Sequence, residues 1–169
     1  EYNFGNVFNL FQQIRSKIFA IIGSGKNIKS IAYAGNIVDS VLFCLDKIKD
    51  PIFIYNYCDY PQINVVQQSN LISSIIGIKA PFKVPLWLTK FFTFPIDIIE
   101  LIIKKDLIIN SMRVKKFTEP TYFIADRIRS RGFVQKTSIQ KAIQNTNSWI
   151  ETVDVKTLRN LWYKKASKL

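Results

Sequence analysis

Residues 23–39 read Gly23-Ser24-Gly25-Lys26-Asn27-Ile28-Lys29-Ser30-Ile31-Ala32-Tyr33-Ala34-Gly35-Asn36-Ile37-Val38-Asp39. A short apolar run over residues 19–22 leads into the glycine turn, which predicts a strand that ends at this turn. A second apolar run, Lys29 to Ala34, predicts another short strand. Asn36 is expected to cap the helix that follows, because its side chain can accept a backbone N–H at a helix start.

Apolar residues recur at helical spacing on both sides of this stretch. Residues 5–18 and 62–76 are predicted to be amphipathic helices, and a third helix should run from Asn36 to about Ile48. The side of this third helix that faces the core is expected to consist of five aliphatic residues: Ile37, Val38, Val41, Leu42 and Leu45. Residues 52–57 are predicted to form a buried strand.

The second half of the chain begins with an aromatic segment. Residues 80–103 contain three prolines and the charges Lys90, Asp97 and Glu100, so a membrane span is rejected and two helices broken near Pro95 are predicted. Shorter elements should follow: helices over residues 107–117, 126–132 and 139–150, and a strand over residues 122–124. Residues 151–169 are predicted to be a basic C-terminal tail.

The charge of the chain is strongly and unevenly basic. The net charge is +12 over 169 residues, with 9 basic and 7 acidic residues up to position 103 and 15 basic and 5 acidic residues after it. Such an excess indicates an anionic partner, either nucleotide phosphates, nucleic acid or an anionic membrane surface. A compositional bias toward lysine would give the same excess without any partner. The hydrophobic content of 48% is typical of one globular domain.

The residue types present exclude several kinds of chemistry. The chain has no histidine, so the usual hydrolase triads and histidine-containing zinc sites are excluded, and no metal site is expected. Its two cysteines, Cys44 and Cys58, form no CxxC pair, and a reducing cytoplasmic location is the default. Any proton transfer would require tyrosine, lysine or carboxylate side chains.

The glycine turn is similar to two phosphate-binding motifs but fits neither. A Walker A motif needs a glycine five residues before its second glycine and Ser or Thr after its lysine, whereas this chain has Ala20 and Asn27 at those positions. A dinucleotide-binding fingerprint needs a third glycine, which does not occur at the required spacing after Gly25.

The same stretch resembles a pattern of the extended short-chain dehydrogenase/reductase family, the NAD-dependent nucleotide-sugar epimerases and dehydratases. The family pattern is G-x-G-x-x-x-R-D-h-h-x-V-x-D, where h is apolar. Gly23 and Gly25 match its glycines, Lys29 stands at its Arg, Ser30 at its first Asp and Asn36 at its last Asp. Residues 121–149 are similar to the family's closing pattern.

This resemblance covers residues 1–150 and implies an α/β fold. The chain would be the C-terminal part of a Rossmann-fold enzyme of this family, with a mostly helical substrate-binding lobe. The resemblance also implies a set of substrate-binding residues: Asn6, Phe8, Ala20, Ile22, Lys29, Arg113 and Lys115. The first two would contact the sugar end and the next two the nucleotide base. The diphosphate would be neutralised by Lys29, which lacks the bidentate fork of Arg, together with Arg113 or Lys115.

The parts of the family pattern that do the chemistry are not found in this sequence. The catalytic Tyr-x-x-x-Lys pair occurs nowhere, and the Gly-x-x-Gly-x-x-Gly turn that seats the cofactor pyrophosphate is also absent. We therefore assign no catalytic residue, and expect NAD or NADP to be bound mainly by an N-terminal half that is not in this chain. Alone, the chain should be inactive and should expose a broad apolar face. A homodimer is common among proteins of this family.

Two other classes of function fit the charge. One is a non-catalytic basic protein that binds an anionic membrane surface through residues 80–103 and the tail. The other is a nucleic-acid-binding module, which only the charge supports, because the sequence has no recognition motif of that class.

Overall fold

The computed structural model describes residues 5–103, 111–152 and 154, with the backbone alone for residues 96–103 and Arg113. The described elements, in chain order, are α1 (Asn6–Arg15), β1 (Ile21–Ile22), α2 (Ala34–Lys47), α3 (Val65–Ile75), β2 (Lys83–Val84), α4 (Leu86–Ile103), α5 (Ser111–Thr118), α6 (Asp126–Ser130) and α7 (Ile139–Thr152). Most of the predicted basic tail lies outside the described residues.

Three helices, α1, α3 and α7, enclose the main core. Each contributes the apolar stripe that its sequence predicts, and burying these stripes against one another is the main source of stability for such short helices. The core side chains are Phe8, Phe11, Ile14, Phe19, Ile21, Val65, Ile72, Ile139, Ile143, Trp149 and Ile150. The start of α3 is fixed by a capping box, in which Asn64 accepts from the Gln67 N–H and the Gln67 side chain accepts from the Asn64 N–H.

The β-structure is smaller than the sequence predicts. Strands β1 and β2 pair in parallel, with Ile21 opposite Lys83 and Ile22 opposite Val84. The predicted strands over residues 29–34, 52–57 and 122–124 are wrong for the described chain, in which only isolated bridges such as Lys29 to Thr121 occur there. A strand forms only beside a partner strand, and within the described residues these segments have none.

Helix α2 differs from its prediction in its start and in its orientation. It begins at Ala34, and its N-cap is Tyr33 rather than Asn36, which is fully buried and bonds to other segments. The five aliphatic residues expected to face the core are instead 42–75% exposed. The periodicity correctly predicted an apolar face, but within the described residues nothing covers it.

Helix α4 continues through Pro95, so the predicted break is wrong. Proline lacks the N–H that would bond to the carbonyl of Phe91. Both residues are exposed, so water can satisfy that carbonyl and the helix can continue. Among the described residues, no helix is both long and apolar enough to cross a membrane.

Candidate functional site

The glycine turn after β1 has a geometry that only glycine fits well. Gly23 and Gly25 have φ values of 68° and 63°, in the left-handed region that favours glycine. A Cβ on Gly25 would also lie 2.5 Å from Ile21 Cγ2 and 2.6 Å from Val66 Cγ2, too close for any side chain. The chain can therefore turn tightly between β1 and α3.

After this turn, two polar side chains bind the C-terminal end of α5. Asn27 Nδ2 donates to the Phe117 carbonyl over 3.0 Å, and Lys29 Nζ donates to the Lys116 carbonyl over 2.7 Å. Lys29 Nζ also lies 3.3 Å from Thr121 Oγ1. These bonds satisfy carbonyls that have no partner within a helix end. They bring the basic helix α5 next to the glycine turn, although the two are about 90 residues apart in sequence.

The ammonium group of Lys29 keeps capacity for a ligand. It has three N–H donors, and the two contacts above use two of them. The side chain is half-buried. An anion at the third donor would therefore meet a cation that is already held in place.

The other predicted cations lie on α5. The Lys115 side chain is 69% exposed and pairs with Glu119 over 3.7 Å. Arg113 lies two positions earlier on the same helix, and its side chain is outside the described part of the structure.

The remaining predicted residues are divided between the surface and the core. Ala20 and Ile22 are half-buried at β1, directly before the glycine turn, and Asn6 is exposed in the first turn of α1. Phe8 is only 3% exposed, and its ring packs edge-on against Trp149 with centroids 6.3 Å apart. Phe8 thus stabilises the core, and its side chain is not at a surface where a sugar could contact it.

Sequence reasoning missed a buried polar network at the start of α2. Asn36 Nδ2 donates to Asp59 Oδ1 over 2.9 Å and to the Thr137 carbonyl over 2.8 Å, and its Oδ1 accepts the Thr137 N–H over 3.0 Å. Asp59 also accepts the Tyr33 N–H over 2.8 Å and the Tyr57 hydroxyl over 3.1 Å. Burial raises the pKa of Asp59, although these donors oppose the rise. The sequence signal was an acidic residue two positions after the predicted strand over residues 52–57.

A group of arginines around α6 accounts for part of the basic excess. Arg127 donates to the Ile54 carbonyl over 2.7 Å, and Arg129 donates to the Cys58 carbonyl over 2.6 Å. Arg131 pairs with Asp50 over 2.7 Å. These arginines hold residues 50–58 against α6, so their charge serves the fold and does not by itself indicate nucleic acid.

The described residues contain no group of three metal-ligating side chains. The N-terminus of α3 lies at the glycine turn, and its first N–H groups donate to carbonyls of that turn, Val65 to Asn27 and Val66 to Gly25, over 3.2 Å each. The Gln67 N–H is bonded to the Asn64 side chain. These N–H groups, which bind phosphate in a dinucleotide site, are therefore used within the fold here.

Comparisons with known proteins agree with the resemblance in the sequence. No protein-family profile matches the chain. Over 147 residues it is 35% identical to N-acetyl-alpha-D-glucosaminyl-diphospho-ditrans,octacis-undecaprenol 4-epimerase of Escherichia coli O157:H7, covering 86% of this chain and 44% of that protein, in its C-terminal part. The fold is similar to that of the human epimerase family protein SDR39U1 (isoform 2), solved with NADPH. The TM-score is 0.59 at 12% identity, over 83% of this chain and 42% of the other.

These findings define the class of protein. The fold is that of the C-terminal part of a Rossmann-fold epimerase, with a mostly helical lobe beside a small parallel sheet. In sequence and in fold the chain is similar to the C-terminal part of epimerases of the extended short-chain dehydrogenase/reductase type. It spans less than half the length of either protein it matches.

Proposed function

We propose that this chain is the substrate-binding portion of an NAD(P)-dependent sugar epimerase or dehydratase, and that it binds the diphosphate of the sugar substrate. The observation that carries the proposal is the position of Lys29, whose ammonium group lies 2.7 Å from a carbonyl of the basic helix α5. Together with a cation of α5, Lys29 would neutralise the two charges of the diphosphate.

The proposed site extends from the sheet to the first helix. The nucleotide base would lie against Ala20 and Ile22, and the diphosphate would lie between Lys29 and either Arg113 or Lys115. Asn6 would contact the sugar end, with Phe8 supporting its helix from the core. The cofactor and the catalytic groups would come from a second, N-terminal Rossmann unit, because this sequence lacks the glycine-rich cofactor turn and the Tyr-x-x-x-Lys pair.

The surface that would meet this N-terminal unit is the aliphatic face of α2. Val38, Leu42 and Leu45 are each more than half exposed, as are Ile52 and Ile54 in the neighbouring segment. Exposed aliphatic area of this extent on a folded protein marks an interface with another folded unit. The predicted broad apolar face thus has a specific position on the chain.

The sugar could be carried by a nucleotide or by a lipid. The sequence motifs favour a nucleotide diphosphate, whereas the name of the bacterial relative specifies an undecaprenol diphosphate. Both carriers present the same diphosphate to Lys29. They differ in what lies beyond it, which is a planar base in one case and an isoprenoid chain in the other.

Titration calorimetry of the purified chain would test this proposal with UDP, dTDP, GDP and farnesyl diphosphate as ligands. We expect one class of diphosphate to bind and Lys29→Ala to weaken it by about tenfold, the typical effect of losing one charge-assisted hydrogen bond. The matched control is Lys26→Ala, an exposed lysine of the same loop, which should leave the affinity unchanged. Equal affinity in the wild type and in Lys29→Ala, or no binding to a folded chain, would contradict the proposal.

A further inference from the structure

Helix α4 carries a second apolar surface, and its chemistry differs from that of the α2 face. Trp87, Phe91 and Phe94 are 65–70% exposed and follow one another at spacings of four and three residues. At 100° per residue they lie within an arc of about 60° on one side of the helix. We call these three residues the aromatic face. Phe82, which precedes the helix, is also exposed.

The orientation of this face is fixed by the opposite side of the helix. Thr93 is buried, and its hydroxyl lies 3.0 Å from the Ser111 hydroxyl of α5. Helix α4 therefore cannot roll to bury its aromatic rings without losing this contact. Within the described residues, the aromatic face has no cover.

Lysines accompany the aromatic rings. Residues 79–96 contain Lys79, Lys83 and Lys90 and no acidic residue; the first acidic residue after them is Asp97. Lys90 is exposed and lies about 40° from Phe94 around the helix. A surface of Trp and Phe bordered by Lys matches the interface of a bilayer, where aromatic rings enter the headgroup region and lysines meet anionic lipids.

We propose that the aromatic face docks onto the surface of an anionic lipid bilayer, with α4 lying along the surface rather than crossing it. The α2 face offers a contrast within the same chain. It is aliphatic, as expected of a surface that another folded unit covers, whereas the aromatic face carries Trp and Phe, which occur on the apolar side of helices that lie in the membrane interface. The lysines beside the aromatic face attract anionic headgroups and repel a second copy of this basic chain, so we favour the bilayer over a homodimer as the partner of this face.

Co-sedimentation with two kinds of vesicle, pure phosphatidylcholine and phosphatidylcholine mixed with anionic phosphatidylglycerol, tests the proposal. We expect binding to the anionic vesicles that falls with added salt. The variant Trp87→Ser/Phe91→Ser/Phe94→Ser should bind the anionic vesicles at least about tenfold more weakly than the wild type. The matched control Val41→Ser/Leu42→Ser removes similarly exposed apolar side chains from α2 and should bind like the wild type.

A spectroscopic measurement covers the case in which the triple variant does not fold. Trp162 lies outside the described residues, so the measurement uses a Trp162→Phe background. Brominated lipids should quench the fluorescence of this chain, and adding Trp87→Phe should abolish most of the quenching, because Trp149 is buried. Absence of wild-type binding, equal losses in the triple variant and the α2 control, or quenching that survives Trp87→Phe would each overturn the proposal. The proposal would also be overturned if the wild-type chain did not bind vesicles and instead formed a dimer that is lost in the triple variant. The vesicles contain neither nucleotide nor sugar, so the outcome is independent of the proposed diphosphate site.

Discussion

Replacing Asn36 with alanine should cause one of the largest losses of stability available from a single side chain. The residue is fully buried and makes three hydrogen bonds, two with the backbone of Thr137 and one with the Asp59 carboxylate. At about 1 kcal/mol for each backbone bond and about 2 kcal/mol for the bond to the carboxylate, the free energy of unfolding should fall by about 4 kcal/mol. The buried carboxylate would also lose a donor that lowers its pKa.

Urea unfolding followed by circular dichroism measures this loss. Asn70→Ala provides the control, because Asn70 is exposed on α3 and its replacement should change the free energy of unfolding by less than about 0.5 kcal/mol. This prediction would be refuted if Asn36→Ala lowered the free energy of unfolding by less than about 1 kcal/mol while the dependence of that free energy on urea concentration stayed unchanged. The network would then not join α2 to the segments around Asp59 and Thr137.

Three further predictions use the same unfolding assay or simple labelling. Gly25→Ala should lower the free energy of unfolding by more than about 3 kcal/mol, because its Cβ would clash with two side chains. Gly77→Ala is the control: Gly77 also has a positive φ, of 71°, but no neighbour within 4 Å, so the loss should be only about 1 kcal/mol. Equal losses would contradict the packing described for the turn. Because the folded pKa of Asp59 is raised, its protonated form favours folding, and this contribution is lost as the pH rises above 3.8 through the folded pKa. The difference in stability between the wild type and Asp59→Asn should therefore change over this range, and parallel pH profiles would refute the shift. Iodoacetamide at neutral pH should modify Cys44 faster than Cys58, because Cys58 is buried and burial raises its pKa. The masses of labelled tryptic peptides report which cysteine reacts first, and preferential labelling of Cys58 would contradict the prediction.

The helices of the core could be predicted from the sequence because their signal is local. Residues 5–18, 62–76 and 139–150 show an apolar stripe at helical spacing, and α1, α3 and α7 form at these places with that stripe buried. The strands were overpredicted for a related reason. An apolar run such as 52–57 indicates a segment suited to a sheet, but pairing depends on a neighbour that the run does not encode.

The site was partly predictable. The glycines of the turn carry their own conformational signature, and the structure gives both a positive φ. The contact of Lys29 with the end of α5 joins residues 87 positions apart, and no local pattern could reveal it. The predicted orientation of α2 was wrong for the same reason, since periodicity identifies an apolar face without identifying what covers it. Asn36 was mistaken for a cap because its true partners, at 59 and 137, are distant in sequence.

The arginines of α6 have a consequence for how this part of the chain can change over generations. Arg127 and Arg129 bind carbonyl oxygens at positions 54 and 58, and every amino acid supplies such an oxygen. At positions 54 and 58 the contact thus depends on the backbone, whereas Asp50 and Phe53 contact the arginines through their side chains. Ile54 and its exposed neighbours are free to drift, or to be exchanged in a chimera, and to adapt to whatever surface they meet without losing their place against α6.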